Sequence, residues 1–176
     1  MDKTTRHSAL VVAVNDGDGV HLVHGGRQIV CRLWGIDAPE YNQPWGPEAK
    51  HFLHSLVSQK HVSVTQHGVD SFGRALVQLQ LPINRDVAGR LIEEGLAWVY
   101  PPGATKLWTY KRLEDCARAL RHGLWCQQDP MPPWIWRRTH APHRVQNPRK
   151  GPSAGRVRPQ NLVDVEVVQG VLPDTQ

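Results

Sequence analysis

Apolar residues in the first third of the chain come in short runs rich in Val, Ile and Leu. Residues 9–14, 20–23 and 28–34 form three such runs, separated by Asn15-Asp16-Gly17-Asp18-Gly19 and by His24-Gly25-Gly26-Arg27. Short β-favouring runs cut by Asp and Gly predict three strands joined by two tight turns. From 47 to 58 the period changes. Ala49, Phe52, Leu53, Leu56 and Val57 fall three and four apart, which predicts an amphipathic helix with Pro47 near its start. Alternation returns over 61–66, at Val62 and Val64, and over 74–81, at Ala75, Val77 and Leu79, predicting two more strands around a turn at 68–73. Asp86 is placed to cap a short helix through Glu94, with Gly95 at its C-terminal end and a brief extended piece over 96–100. Leu107, Tyr110, Leu113, Ala117 and Leu120 mark a last helix over 106–122, stopped by Gly123. Five strands with helices inserted late predict an α+β fold, a small five-stranded OB-like Greek-key barrel, whose grooves commonly hold oligonucleotides.

The 176 residues suffice for one core and a tail rather than two full domains. Past Arg138, apolar residues almost vanish until Leu162, while Arg144, Arg149, Lys150, Arg156 and Arg158 stand among four prolines. The reading is a domain over 1–138 and a basic, proline-rich flexible tail over 139–176, suited to touching phosphates. Within the tail, Val163, Val165 and Val167 alternate with Asp164 and Glu166, a pattern open to a strand or to a disordered end. The 21 Lys and Arg exceed the 16 Asp and Glu, for a net charge of +5 with ten His in reserve, so polyanions are attracted. No apolar run approaches the ~20 residues that cross a bilayer, so no membrane partner is expected. The stretch 9–14 is too short for a signal core, so nothing in the sequence as written directs export. Cys31, Cys116 and Cys126 lack zinc spacing and cannot all pair; buried or free thiols are favoured over a Cys116–Cys126 bridge.

Carboxylates concentrate in two loops despite the basic background. Asp16 and Asp18 flank Gly17 between two strands, and Asp37 and Glu40 follow the third strand across Ala38-Pro39. Four acids this close repel unless a cation joins them, and an all-oxygen set suits Ca²⁺ or Mg²⁺. Asp-Gly-Asp-Gly alone is more simply a hairpin turn. An EF-hand is excluded, because the twelfth position counted from Asp16 is Arg27 instead of Glu. Arg32 lies inside a strand, where a half-buried guanidinium needs an anionic partner, either a carboxylate or a substrate phosphate. Arg74 follows the turn Asp70-Ser71-Phe72-Gly73, and two arginines at strand ends beside an acidic cluster suggest a clamp on a phosphoryl group. His51 and His54 read as solvated, and Trp108 and Trp125 as core.

Three motifs in this order, Asp16-Gly17-Asp18-Gly19, Arg32 through Glu40 and Asp70 through Arg74, resemble those of the staphylococcal nuclease (thermonuclease) family. The sequences Gly95-Leu96-Ala97-Trp98-Val99-Tyr100, Gly123-Leu124-Trp125 and Trp134-Ile135-Trp136-Arg137-Arg138 extend the resemblance over roughly 9–138. It implies an OB barrel with three helices. It also implies Ca²⁺ held by Asp18, Asp37 and the Ala38 carbonyl, with Asp16 nearby through water. Glu40 becomes the general base or water-positioning group, and Arg32 and Arg74 stabilise charge on phosphorus oxygens. The implied reaction is hydrolysis of DNA, and of RNA, single-stranded or in breathing duplex, with little sequence specificity, leaving 3′-phosphate and 5′-hydroxyl ends. Trp98, Tyr100 and Phe72 become substrate contacts and the working unit a monomer. The chain departs from the family pattern with Ala38 for Thr, Phe72 for Tyr, Ser71 for Lys and Trp98 for Tyr. The competing readings are a catalytically silent OB module that binds nucleic acid or protein, and an adaptor acting through the tail. Silent copies usually lose the acidic and arginine residues, whereas Asp18, Arg32, Asp37, Glu40 and Arg74 are all present here.

Overall fold

A computed structural model describes residues 6–100, 107–140 and Leu162. In chain order its elements are β1 (Arg6–Val14), β2 (Gly19–His24), β3 (Arg27–Leu33), β4 (Ile36–Asp37), α1 (Gly46–Val57), β5 (His61–Val69), β6 (Ala75–Leu81), β7 (Arg85–Asp86), α2 (Val87–Glu93), β8 (Trp98–Val99), α3 (Trp108–Ala119), a 3₁₀ turn (Gly123–Cys126) and α4 (Pro133–His140). The first three strands form an antiparallel meander, β5 pairs with β1, and β6 pairs with β5. A parallel pairing of β3 with β6, Cys31 opposite Ala75 and Leu33 opposite Val77, closes five strands into the OB barrel. The two-residue β7 extends the β6 edge, and β4 pairs with β8 outside the barrel.

The predicted alternation is the alternation of burial. Val20, Leu22, Cys31, Leu33, Val62, Val64, Ala75, Val77 and Leu79 all point into the core, which removes their apolar surface from water. Helix α1 adds Ala49, Leu53 and Val57. The Asp86 carboxylate caps α2 by accepting from the Ala88 and Gly89 N–H groups at 2.9 and 3.2 Å. Helix α3 buries Tyr110 and Ala117, as its periodicity predicts, and also Glu114, whose Oε1 accepts the Val99 N–H at 3.1 Å and so fastens β8.

One core assignment fails at the start of α3, and an apolar position at its end also lies outside the core. Trp108 is exposed at its first turn, with the Arg112 guanidinium 5.8 Å from its ring, because residues four apart share the outer face. Leu120, past the last turn, is exposed as well. Helix α4 is an addition to the three helices the sequence predicts, and it runs through His140. Cys31 is buried, which pushes its thiol up to about 12, while Cys116 and Cys126 are free surface thiols. Of the tail, only Thr139, His140 and Leu162 are among the described residues. Leu162 is fully buried and its N–H donates to Gln66 Oε1 at 2.9 Å. The valine alternation over 163–168 lies outside the described residues.

Candidate active site

Backbone contacts bring the two acidic loops together. The turn between β1 and β2 is held by the Asn15 N–H on the Gly19 carbonyl and the Leu33 N–H on the Asp18 carbonyl, at 2.9 and 2.8 Å. Asp16 Oδ1 accepts the Asp18 N–H at 3.2 Å, the local bond that makes Asp a turn residue. A Cβ at Gly17 would lie 2.6 Å from Ala38 Cβ and 2.8 Å from Ala49 Cβ, so glycine is what lets this turn lie against α1 and the loop after β4. That second loop is pinned by the Gln43 N–H on the Glu40 carbonyl at 2.9 Å and by the Glu40 N–H on Gln43 Oε1 at 3.1 Å.

Arg32 joins the loops. Its Nη2 donates to Asp18 Oδ2 at 2.8 Å and also to Asp37 Oδ1, so both carboxylates lie within reach of one nitrogen. Asp18 Oδ2 further accepts the Ala38 N–H at 3.0 Å. Burial, and then the neighbouring Asp16 and Asp37, push the Asp18 carboxyl up to about 7, and Arg32 only partly offsets this. Burial alone would lower the Arg32 pKa, but Asp18 and Asp37 outweigh it and raise it.

Arg74 stands across the opening. Its Nε donates to Asp70 Oδ2 at 2.8 Å, and Asp70 Oδ1 accepts the N–H groups of Phe72 and Arg74, both at 2.9 Å. Burial would raise the Asp70 pKa, yet these bonds hold it below the ordinary carboxylate value. The exposed Phe72 ring lies 5.5 Å from the Arg74 guanidinium.

Sequence reasoning assigned no role to Arg137, although it belongs to the Trp-Ile-Trp-Arg-Arg motif. From α4 its Nη1 and Nη2 donate to Asp37 Oδ1 and Oδ2 at 3.1 and 2.7 Å, and Nη1 also donates to Glu40 Oε1 at 2.7 Å. The hydrogen bonds to Asp37, above all, raise the pKa of this guanidinium. Asp37 and Arg137 are a hundred positions apart, so no local spacing could pair them.

One cleft of about 720 Å³ is lined by Asp16, Asp18, Arg32, Glu40, Arg74 and Arg137, with Phe72 and Tyr100 at its edge. Asp37 lies behind this wall, its side chain 1% exposed under the two guanidinium groups. Tyr100 is held by its N–H on the Gly35 carbonyl at 3.0 Å. Trp98 is not at the cleft. It is buried, with its ring 4.3 Å from Trp125 and 5.8 Å from Trp134, and Trp134 in turn lies 5.4 Å from Tyr100. Its place in β8 turns it into the second apolar cluster with Ala117, Leu124 and Trp125, and the ring that packs against Tyr100 is that of Trp134.

The four acids do not converge as a cage. Among the described residues no group of three or more acidic, His or Cys side chains is set to hold an ion; Asp16 accepts within its own turn and Glu40 accepts from Arg137. What converges is the pair Asp18 and Asp37. Two carboxylates side by side, one of them Asp18 with its raised pKa, fit a hard dication, which would favour the charged form of Asp18.

The model of the family described as staphylococcal nuclease homologue matches residues 30–127. The chain belongs to the staphylococcal nuclease family. A protein of Escherichia coli O157:H7 named "Uncharacterized endonuclease" is 39% identical over 127 residues, covering 72% of this chain and 82% of that protein. The "Micrococcal nuclease" of Shigella flexneri is 33% identical over 140 residues, covering 73% and 79%, and "Protein ParB" of Escherichia coli is 35% identical over 137 residues, covering 73% and 77%. Within this nuclease family match lie Arg32, Asp37, Glu40 and Arg74; Asp16 and Asp18 precede it and Arg137 follows it.

Proposed function

We propose that this protein is a Ca²⁺-dependent nuclease that hydrolyses phosphodiester bonds of DNA and RNA, in single strands or breathing duplex, with little sequence specificity. The observation that carries the reading is the meeting of Asp18 and Asp37 under one nitrogen of Arg32, in a cleft that also holds Glu40 and Arg74. Nuclease relatives in the same family support it.

Asp18, Asp37 and the Ala38 carbonyl would hold the ion, with Asp16 nearby through water. Bound there, Ca²⁺ supplies Lewis-acid stabilisation of charge on a phosphoryl oxygen. Glu40, at the cleft wall, accepts a proton from the attacking water. Arg32 and Arg74 face the phosphoryl oxygens on which negative charge grows, and preorganised cations in a water-poor cleft usually give the largest single catalytic effect. Water oxygen bonds to phosphorus as its proton passes to Glu40, the bond to the 5′ oxygen breaks with an arginine hydrogen-bonded to that departing oxygen, and the oxygen takes up a proton from solvent, giving 3′-phosphate and 5′-hydroxyl ends. Tyr100 and Phe72 offer ring faces to bases, a sequence-tolerant contact. Every group named comes from one chain, which fits a monomer as the working unit.

The test is end-group analysis of DNA and RNA oligonucleotides incubated with the full chain and Ca²⁺, alongside Glu40→Gln and Arg74→Ala. The expected result is 3′-phosphate products from the wild type and a rate lower by about 10² or more for each variant. Products with 3′-hydroxyl ends, or undiminished cleavage by either variant, would refute it.

A further inference from the structure

Arg137 comes to the cleft from outside the barrel. Helix α4 is seated by the Gln43 side-chain amide on the Met131 carbonyl at 2.6 Å, by Trp136 Nε1 on Asn42 Oδ1 at 3.3 Å and by the Trp134 ring against Trp98 and Tyr100. This seating delivers the guanidinium onto both oxygens of Asp37 and one of Glu40. A planar fork on a carboxylate is among the stronger hydrogen-bonded pairs, and the same fork matches a phosphate.

The pairing conflicts with loading the site. Asp37 Oδ1 already accepts from Arg32 and Arg137, and Oδ2 accepts from Arg137. A dication reaching Asp37 therefore competes with guanidinium groups for its oxygens and is repelled by their charge. Arg32 is fixed in a barrel strand and its side chain is 19% exposed, whereas Arg137 is 40% exposed on an eight-residue helix. Arg137 is the group that can yield. Arg74, by contrast, is paired with Asp70, outside the acids that would hold the ion.

We propose that Arg137 is a third phosphate-binding arginine, parked on Asp37 and Glu40 while the cleft is empty and transferred to the substrate phosphate when a dication takes Asp37. This rests on the nuclease reading and adds a residue and an order of events to it. One exchange does two things: the parked guanidinium offsets the repulsion among Asp18, Asp37 and Glu40 in the empty protein, and the released one adds positive charge to the cleft when the polyanion is present.

Isothermal titration of CaCl₂ into the full chain without nucleic acid tests the first half. Titration of a short phosphorothioate single strand at saturating Ca²⁺ tests the second. Relative to wild type, Arg137→Ala is expected to bind Ca²⁺ about tenfold tighter and the oligonucleotide about tenfold weaker, the scale of losing one charge-assisted hydrogen-bonded contact. Arg138→Ala is expected to leave Ca²⁺ affinity unchanged. If Arg137→Ala does not fold, Arg137→Lys, which keeps the charge but loses the fork, is expected to bind Ca²⁺ several-fold tighter than wild type. Calcium affinity unchanged or weakened in the folded variant, or unchanged oligonucleotide affinity, would overturn the exchange while leaving the nuclease reading in place. A wild type that binds no Ca²⁺ would overturn both.

Discussion

Strand β3 runs through two regions governed by opposite physics. Cys31 and Leu33 belong to the buried apolar core of the barrel, where removing apolar surface from water adds to stability. Arg32, between them, turns to the mouth, where Asp18 is buried with its carboxyl pushed up to about 7. The body of the barrel is satisfied as it stands. The mouth gathers Asp18, Asp37 and Glu40 against Arg32 and Arg137, and on the proposed reading a dication would relieve the repulsion that remains. Stability and function are thus assigned to alternate residues of one strand, and variants should separate them.

The largest effect belongs to the body. Leu22→Ala removes a side chain with no exposed surface and is expected to cost about 2–5 kcal/mol in unfolding free energy, read by denaturant titration. The molecules that remain folded should cleave at the wild-type rate. Arg32→Ala reverses the pattern: with Ca²⁺, cleavage should fall by about 10² or more while the far-ultraviolet spectrum is retained. If Leu22→Ala lowered the rate per folded molecule as much as Arg32→Ala does, the division between body and mouth would be wrong.

A smaller effect follows from Asp18. Its folded pKa of about 7 lies above its ordinary value of 3.8, so between those values the folded protein binds more protons than the unfolded chain. Stability is therefore present below about pH 4 and lost as pH rises towards 7. In chelator, the melting temperature should fall over this window for wild type, and Asp18→Asn should flatten the fall and raise the melting temperature by several degrees at pH 8. Asp18→Asn should also abolish the gain that Ca²⁺ gives wild type. The smallest expected effect is at the rim, where Tyr100→Ala should weaken single-stranded DNA binding by about tenfold, the scale of one lost base stack, and leave stability nearly unchanged.

The body was legible because burial there follows sequence period. Val62 and Val64, or Ala75, Val77 and Leu79, alternate in the chain and alternate in the fold. Asp86 and Gly95 marked α2 because capping is local chemistry. The mouth was legible in part. Asp18, Arg32, Asp37, Glu40 and Arg74 could be named from turn and strand-end motifs, but which groups pair could not, since the barrel decides it. Asp16 is spent on its own turn, and Glu40 is tied to a residue nearly a hundred positions away. Helix α4 escaped because eight residues are about two turns, too few for a helical period to stand out, and the composition boundary drawn at Arg138 cuts through it. Trp98 was misplaced because an aromatic ring in a short edge strand has two faces to choose from, and only tertiary packing against Trp125 and Trp134 selects the inner one.

The central claim is that the mouth is incomplete without a dication. The most direct measurement is the initial rate of single-stranded DNA cleavage by the wild type as Ca²⁺ is titrated from excess chelator to saturation, with Asp37→Asn in parallel. The account predicts no cleavage in chelator, a saturable rise with Ca²⁺, and a rise for Asp37→Asn that is lost or moved to much higher concentration. Full-rate cleavage in chelator, or an identical titration curve for Asp37→Asn, would contradict it.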